Sequence, residues 1–126
     1  LILIAAIAVT WAAQAQAHVA RRQPACDRTQ NYMEANRLFA ESRRLIKAKD
    51  YEASLMTSHH GILVLGDHYH PPDMIEESDN YLVISGIEAR NGNLLGAARI
   101  ASGVLGAHLH DCEMMSRQKR RSHHQP

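Results

Sequence analysis

Val64-Leu65-Gly66-Asp67-His68-Tyr69-His70 is echoed forty residues later by Val104-Leu105-Gly106-Ala107-His108-Leu109-His110. Each copy closes an apolar run with helical spacing, and each run follows another amphipathic run and a tight turn. Self-similarity at such a period marks a duplicated supersecondary unit. The reading is an all-α domain over residues 30–112, built as two antiparallel helical hairpins of about 30–70 and 73–112.

The four helices follow from local pattern. Ala35, Leu38, Phe39, Ser42, Leu45 and Ile46 recur at three- and four-residue steps, with Arg37, Glu41, Arg43, Arg44 and Lys47 on the other side. Thr29 or Asn31 can cap this helix, and Glu34 sits near the positive end of its dipole. Lys49-Asp50-Tyr51-Glu52 breaks the pattern and opens the second helix. Its expected buried stripe is Leu55, His59, Ile62 and Leu65, with Met56 and Leu63 beside it. Pro71-Pro72 forbids continuation. Asp73, with Glu76 three residues on, reads as a capping box for a third helix through Tyr81, Leu82, Ile84, Ser85 and Ala89 to about Arg90. Asn91-Gly92-Asn93 is a second turn, and glycine suits a left-handed helix end. The fourth helix, from about Leu94, is crowded with Gly96, Ala97, Ala98, Ala101, Ser102, Gly103, Gly106 and Ala107. Glycine weakens a helix, so its use here predicts another backbone passing close by.

The flanks differ in kind. Leu1 to Ala13 carries no charge, and Ala15-Gln16-Ala17 supplies small residues at alternate positions. Residues 1–17 therefore read as a secretory signal peptide cleaved after Ala17, too short an apolar run for a bilayer span. The absence of a Met and of a basic start predicts that the extreme N-terminus is missing from this chain. No Cys follows the cleavage box, which argues against a lipoprotein. Residues 18–29 form a polar lead-in, and 113–126 a basic, disordered tail from about Ser116. The expected location is periplasmic or secreted, in a bacterial envelope, with no transmembrane segment after cleavage.

In an oxidising compartment an isolated cysteine pair is more often structural than reactive. Cys26 and Cys112 bracket the helical region, and the expectation is a disulfide between them. The alternative is two buried thiols that never meet, because spacing in sequence does not fix distance in space. Four of the fourteen basic residues, Arg117, Lys119, Arg120 and Arg121, lie in the tail, leaving ten against thirteen acidic side chains. Such a body lacks the one-sided basic face of a dedicated nucleic-acid binder.

These features resemble the tetratricopeptide-repeat family, over roughly Ala35 to Val104. In the second hairpin Tyr81 is the bulky residue, Ile84 the aliphatic one and Ser85 the small one. Gly92-Asn93-Leu94 is the turn, and Ala97 and Ala101 are small. In the first, Leu38, Ser42 and Leu45 match the inner side, Asp50-Tyr51 the turn, and Ser54, Ser58 and Gly61 the small positions. The chain departs from the pattern at Lys49, which replaces the turn glycine, and at Glu41, which replaces an aliphatic residue. Val104 is larger than the pattern's small residue, and the turns are 43 residues apart rather than the family's usual 34. The resemblance implies an α-solenoid fragment acting as a binding scaffold, whose inner groove would carry Leu38, Glu41, Leu45, Tyr81, Ile84 and Glu88 and hold a protein or peptide.

Nine histidines are the one chemical oddity. His68-x-His70 and His108-x-His110 each gather imidazole near carboxylates (Asp67, Asp73, Asp111, Glu113), a ligand set that zinc or copper takes. On a continuous helix, residues two apart point to different sides, so convergence needs a frayed end. The plain alternative is imidazole at a helix C-terminus, favoured by the dipole. His59, on the apolar stripe, is expected to be buried and hydrogen-bonded. No nucleophile elbow, carboxylate pair or phosphate loop is present, so the reading is a non-enzymatic binding module without a cofactor.

Overall fold

The computed structural model describes residues 24–66, 70 and 72–124. The predicted signal peptide and the first part of the lead-in lie outside these residues, as do Asp67 and His68. The described chain is all-α: a single 3-10 turn at Cys26–Arg28, then α1 (Gln30–Lys47), α2 (Tyr51–Leu65), α3 (Pro72–Arg90) and α4 (Leu94–His124). Helix α1 packs on α2, and α4 packs on α1, α2 and α3. Helix α3 touches no other element than α4 among the described residues.

Capping chemistry sets the starts. The Thr29 hydroxyl accepts from the Tyr32 amide at 3.1 Å, and the Asp50 carboxylate faces the Ala53 amide at 3.4 Å. The Asn93 side-chain carbonyl accepts from the Gly96 amide at 3.0 Å. Helix α3 begins at Pro72, so Asp73 lies inside the first turn and is not the cap expected of it. Proline suits the first helical position because its missing N–H has no partner there anyway.

The two turns repeat each other bond for bond. Asp50 N donates to Leu45 O and Lys49 N to Ile46 O; Asn93 N donates to Glu88 O and Gly92 N to Ala89 O. Lys49 (φ 62°) and Gly92 (φ 86°) take the same left-handed position. The register between them is 43 residues, the turn-to-turn spacing. The forty-residue echo is not the structural one. Its first copy ends α2 at Gly66, whereas its second lies inside α4, which continues without a proline to stop it.

The same register holds between helices. Ser54 Oγ of α2 donates to Ser42 O of α1 at 2.7 Å, and Ser85 Oγ of α3 donates to Ala97 O of α4 at 2.8 Å. Positions 42 and 54 become 85 and 97 on shifting by the turn spacing, with donor and acceptor exchanged. Ser42 Oγ also meets Ser102 Oγ of α4 at 2.9 Å. A hydroxyl that bonds a neighbouring carbonyl lets two backbones approach where a branched side chain would hold them apart.

The core is accordingly made of small residues and a few leucines. Ala35, Leu38, Leu65, Ala97, Ala101 and Leu105 are buried. Helix α2 turns Ser54, Ser58, Gly61, Ile62 and Leu65 inward. His59 is exposed, contrary to expectation, because the buried face is centred on Ser54, Ser58 and Gly61 and not on the Leu55–His59 line. A Cβ added at Gly61 would lie 2.6 Å from Leu105 Cδ2, so here glycine does serve close packing. At Gly106 the close neighbour is the Phe39 ring and not another backbone.

The expected disordered tail is corrected by the last turns of α4, which stay helical to His124. They are held at three points on one face. Tyr32 Oη donates to Glu113 Oε1 at 2.5 Å, and Ser116 Oγ accepts from the Asp27 amide at 3.0 Å. The Arg120 guanidinium donates to both Asp27 carboxylate oxygens at 3.2 Å. Ser116, expected to open the tail, is 1% exposed. Cys26 and Cys112 lie at disulfide distance beside these contacts, with Cα atoms 5.4 Å apart. Burial would raise the Asp27 carboxyl, but the Arg120 and Ser116 hydrogen bonds and the Arg120 charge outweigh it and hold it below its ordinary value.

Two outcomes follow from these contacts. Lys49→Gly should raise unfolding stability by roughly 1 kcal/mol, read by urea denaturation, since glycine takes the left-handed position without steric cost. Burial, then the Glu113 hydrogen bond and charge, push the Tyr32 phenol up to about 12. The folded value being raised, this contact's stabilisation is complete below the ordinary tyrosine value near 10 and is lost as pH rises through about 12. Phenolate absorbance should therefore show Tyr32 ionising near 12, with the step moving down in Glu113→Gln.

Candidate binding surface and the histidine pair

The six residues assigned to a groove are not brought together. Leu38 is 5% exposed, beneath α2 and α4, and is closed to a partner. Glu41 is half-buried and ion-paired with Arg44 at 2.5 Å, and Leu45 is half-buried. On α3, Glu88 is half-buried and accepts from Asn93 Nδ2 at 2.8 Å, while Tyr81 and Ile84 are exposed. Because α1 and α3 make no contact, the two halves of that set do not form one continuous wall.

What remains open is the outer face of α3. The helix turns Leu82, Ser85 and Ser78 toward α4, where Leu82 packs against the core and Ser85 bonds the Ala97 carbonyl. Val83 (60% exposed), Ile84 (44%) and Ile87 (42%) lie away from that contact, with Leu94 exposed just beyond the turn. Large apolar side chains clustered on one face of a helix mark an interaction surface more often than single scattered ones do. Of the α3 residues on this face the family pattern names Ile84 alone; it does not name Val83 or Ile87, whose exposure depends on α3 having one neighbouring helix among the described residues.

A cleft of about 240 Å³ lies along the other edge of α3, against α4. Met74, Tyr81, Val104 and Ala107 supply apolar lining, and Glu77 and Asp111 supply carboxylates.

Of the four histidines considered as metal ligands, the fold brings two together. His70, in the connection to α3, is buried with its ring centroid 4.4 Å from that of His108 on α4, the planes tilted by 53°. His70 Nδ1 lies 3.5 Å from Asp111 Oδ2, and His108 Nε2 lies 2.8 Å from Ser78 Oγ on α3. His110, two residues beyond His108 on the same helix, is exposed, and His68 lies outside the described residues. Among the described residues no three His, Cys, Asp or Glu side chains are arranged to hold a metal ion. The pair instead joins three segments: the connection before α3, the first half of α3 and the middle of α4.

No family model, curated protein or solved structure matches this chain. Among the described residues no helix is long and apolar enough to cross a membrane.

The histidine contact should carry the docking of α3. His70→Ala is expected to speed amide exchange over the first two turns of α3 by about tenfold or more, leaving α1 and α2 unchanged, since local opening scales with the contacts removed. Equal protection in variant and parent would show that the pair has no such role.

Proposed function

We propose that the chain is a non-enzymatic, exported helical interaction module of the bacterial envelope, composed of two tetratricopeptide-like hairpins behind a signal peptide, and that it holds a protein or peptide on the outer face of α3. The observation that carries this reading is the exposure of Val83, Ile84 and Ile87 on a helix that, among the described residues, packs against α4 alone. Burying three such side chains is worth several kcal/mol in transfer terms, enough for a recognition surface once ordering costs are met. The apolar leader at residues 1–17 and the Cys26–Cys112 pair both suit an oxidising, extracytoplasmic setting. Zinc or copper binding ranks second. Its support is the meeting of His70 and His108, of which His108 Nε2 already faces Ser78.

A photo-crosslinking residue at Ile87, in the chain expressed with its leader in a bacterial host, tests the first reading. The expected result is a discrete adduct with an envelope protein, lost in an Ile84→Glu background and absent when the probe sits at Met56 on α2. Adducts of equal yield from both positions, or none from Ile87, would defeat it.

A further inference from the structure

The C-terminal half of α4 has two faces with different fates. One carries Cys112, Glu113, Ser116 and Arg120 and is held against residues 26–32. The opposite one carries Gly103, Ala107, Asp111, Met114, Gln118 and Arg121, whose three- and four-residue steps align them along one side of the helix. All are exposed except Asp111, which is half-buried.

The character of this stripe inverts along its length. Gly103 weakens the helix as any interior glycine does. Whereas Gly61 is filled against by Leu105, a Cβ at Gly103 would meet nothing within 4 Å. The packing of the single chain therefore gives no reason for a glycine at that position. Gly103 and Ala107 floor the cleft beside α3, with the Glu77 and Asp111 carboxylates on its lining. Farther along, Met114 offers a long exposed apolar side chain, and Arg117 and Arg121 add exposed positive charge. The Gly103 end floors a cleft with the Glu77 and Asp111 carboxylates beside it, and the other end carries an exposed methionine and two exposed arginines.

A surface of that kind is complementary to itself under a two-fold rotation. We propose that the α4 stripe and its cleft form an interface with a second copy of this chain, the two α4 helices running antiparallel about an axis near Asp111 and Met114. That rotation sets Met114 against Asp111, Gln118 opposite Ala107, and Arg121 opposite Gly103, so each long side chain faces a short one. It also carries Arg117 and Arg121 of one copy toward Glu77 of the other. Packed helix axes lie about 8–10 Å apart depending on the side chains between them, and Gly103 and Ala107 leave room for the long side chains set opposite them. This interface lies on the cleft side of α3 and leaves Val83, Ile84 and Ile87 outside, so it stands or falls separately from the reading above.

Sedimentation equilibrium on the chain from His18 onward, from micromolar to several hundred micromolar, tests it. The parent should form a dimer. A Cβ at Gly103 would meet nothing within 4 Å, so Gly103→Leu should extend into the cleft, keep the parent's circular dichroism and melting, and weaken self-association at least about tenfold. Glu77→Arg alone and Arg121→Glu alone should weaken it similarly, and the combination should recover to within about threefold, as expected for one charge pair across an interface. Ile84→Glu should leave the dimer intact. A parent monomeric at every concentration would overturn the proposal. So would a dimer indifferent to Gly103→Leu and to both charge reversals. A monomer whose Ala107 position crosslinks only a foreign envelope protein would overturn it in favour of that occupant.

Discussion

Close approach between α1, α2 and α4 is the constraint from which the rest of the structure follows. Ala35, Gly61, Ala101 and the buried serines leave room for backbones to meet: Ser54 bonds the Ser42 carbonyl between α2 and α1, and Ser42 meets Ser102 between α1 and α4. Such residues bury little apolar area each, and the transfer term they contribute is correspondingly modest. Covalent closure compensates on the unfolded side. A link between residues 86 apart in sequence removes about 4–5 kcal/mol of chain entropy on the loop-closure model. The same link fixes the 3-10 turn beside the end of α4, where Asp27 and Tyr32 find their partners.

Packing small residues inward sends large ones outward. Helix α2 illustrates this: Ser54, Ser58 and Gly61 are buried while Met56 and Leu63 are exposed. A hydrophobic stripe is therefore a poor guide to its orientation, which is why His59 was placed on the wrong face. The buried side of this helix is marked by its small residues, Ser54, Ser58 and Gly61, where polarity does not mark it. Helix number, both turns, the Thr29 cap and the cysteine pair were all legible, because each rests on local chemistry or on the bracketing of one segment by two cysteines.

The parts that were not legible depend on residues far apart in the chain. The stretch after Ser116 is polar and basic, and taken alone it lacks an apolar face to hold it helical. It becomes ordered because the Asp27 amide donates to Ser116, the Asp27 carboxylate accepts from Arg120, and Tyr32 donates to Glu113, across 81 to 93 residues. The histidines behave likewise. His70 and His108 sit at different places in their helical units and meet because His70, just before α3, lies against the middle of α4. Their resemblance as His-x-His motifs suggested a common role, yet His110 is exposed and does not share the contact.

Helix α3 is where these effects converge. Its attachment is one-sided: Leu82 packs on the core, Ser85 meets Ala97, and Ser78 meets His108. Nothing in that attachment requires Val83, Ile84 or Ile87 to be apolar, and in water polar residues there would serve a helix equally well. Likewise nothing in the packing of α4 among the described residues requires glycine at 103, since a Cβ there would meet nothing within 4 Å. Apolar side chains without a neighbour on one edge of α3, and empty space without a packing reason on the other, are two departures from what a lone folded chain needs. The first lies on α3, the helix least embedded in the core, and the second on α4 where it borders α3, so both face the side of the molecule away from the packed seam of α1 and α2.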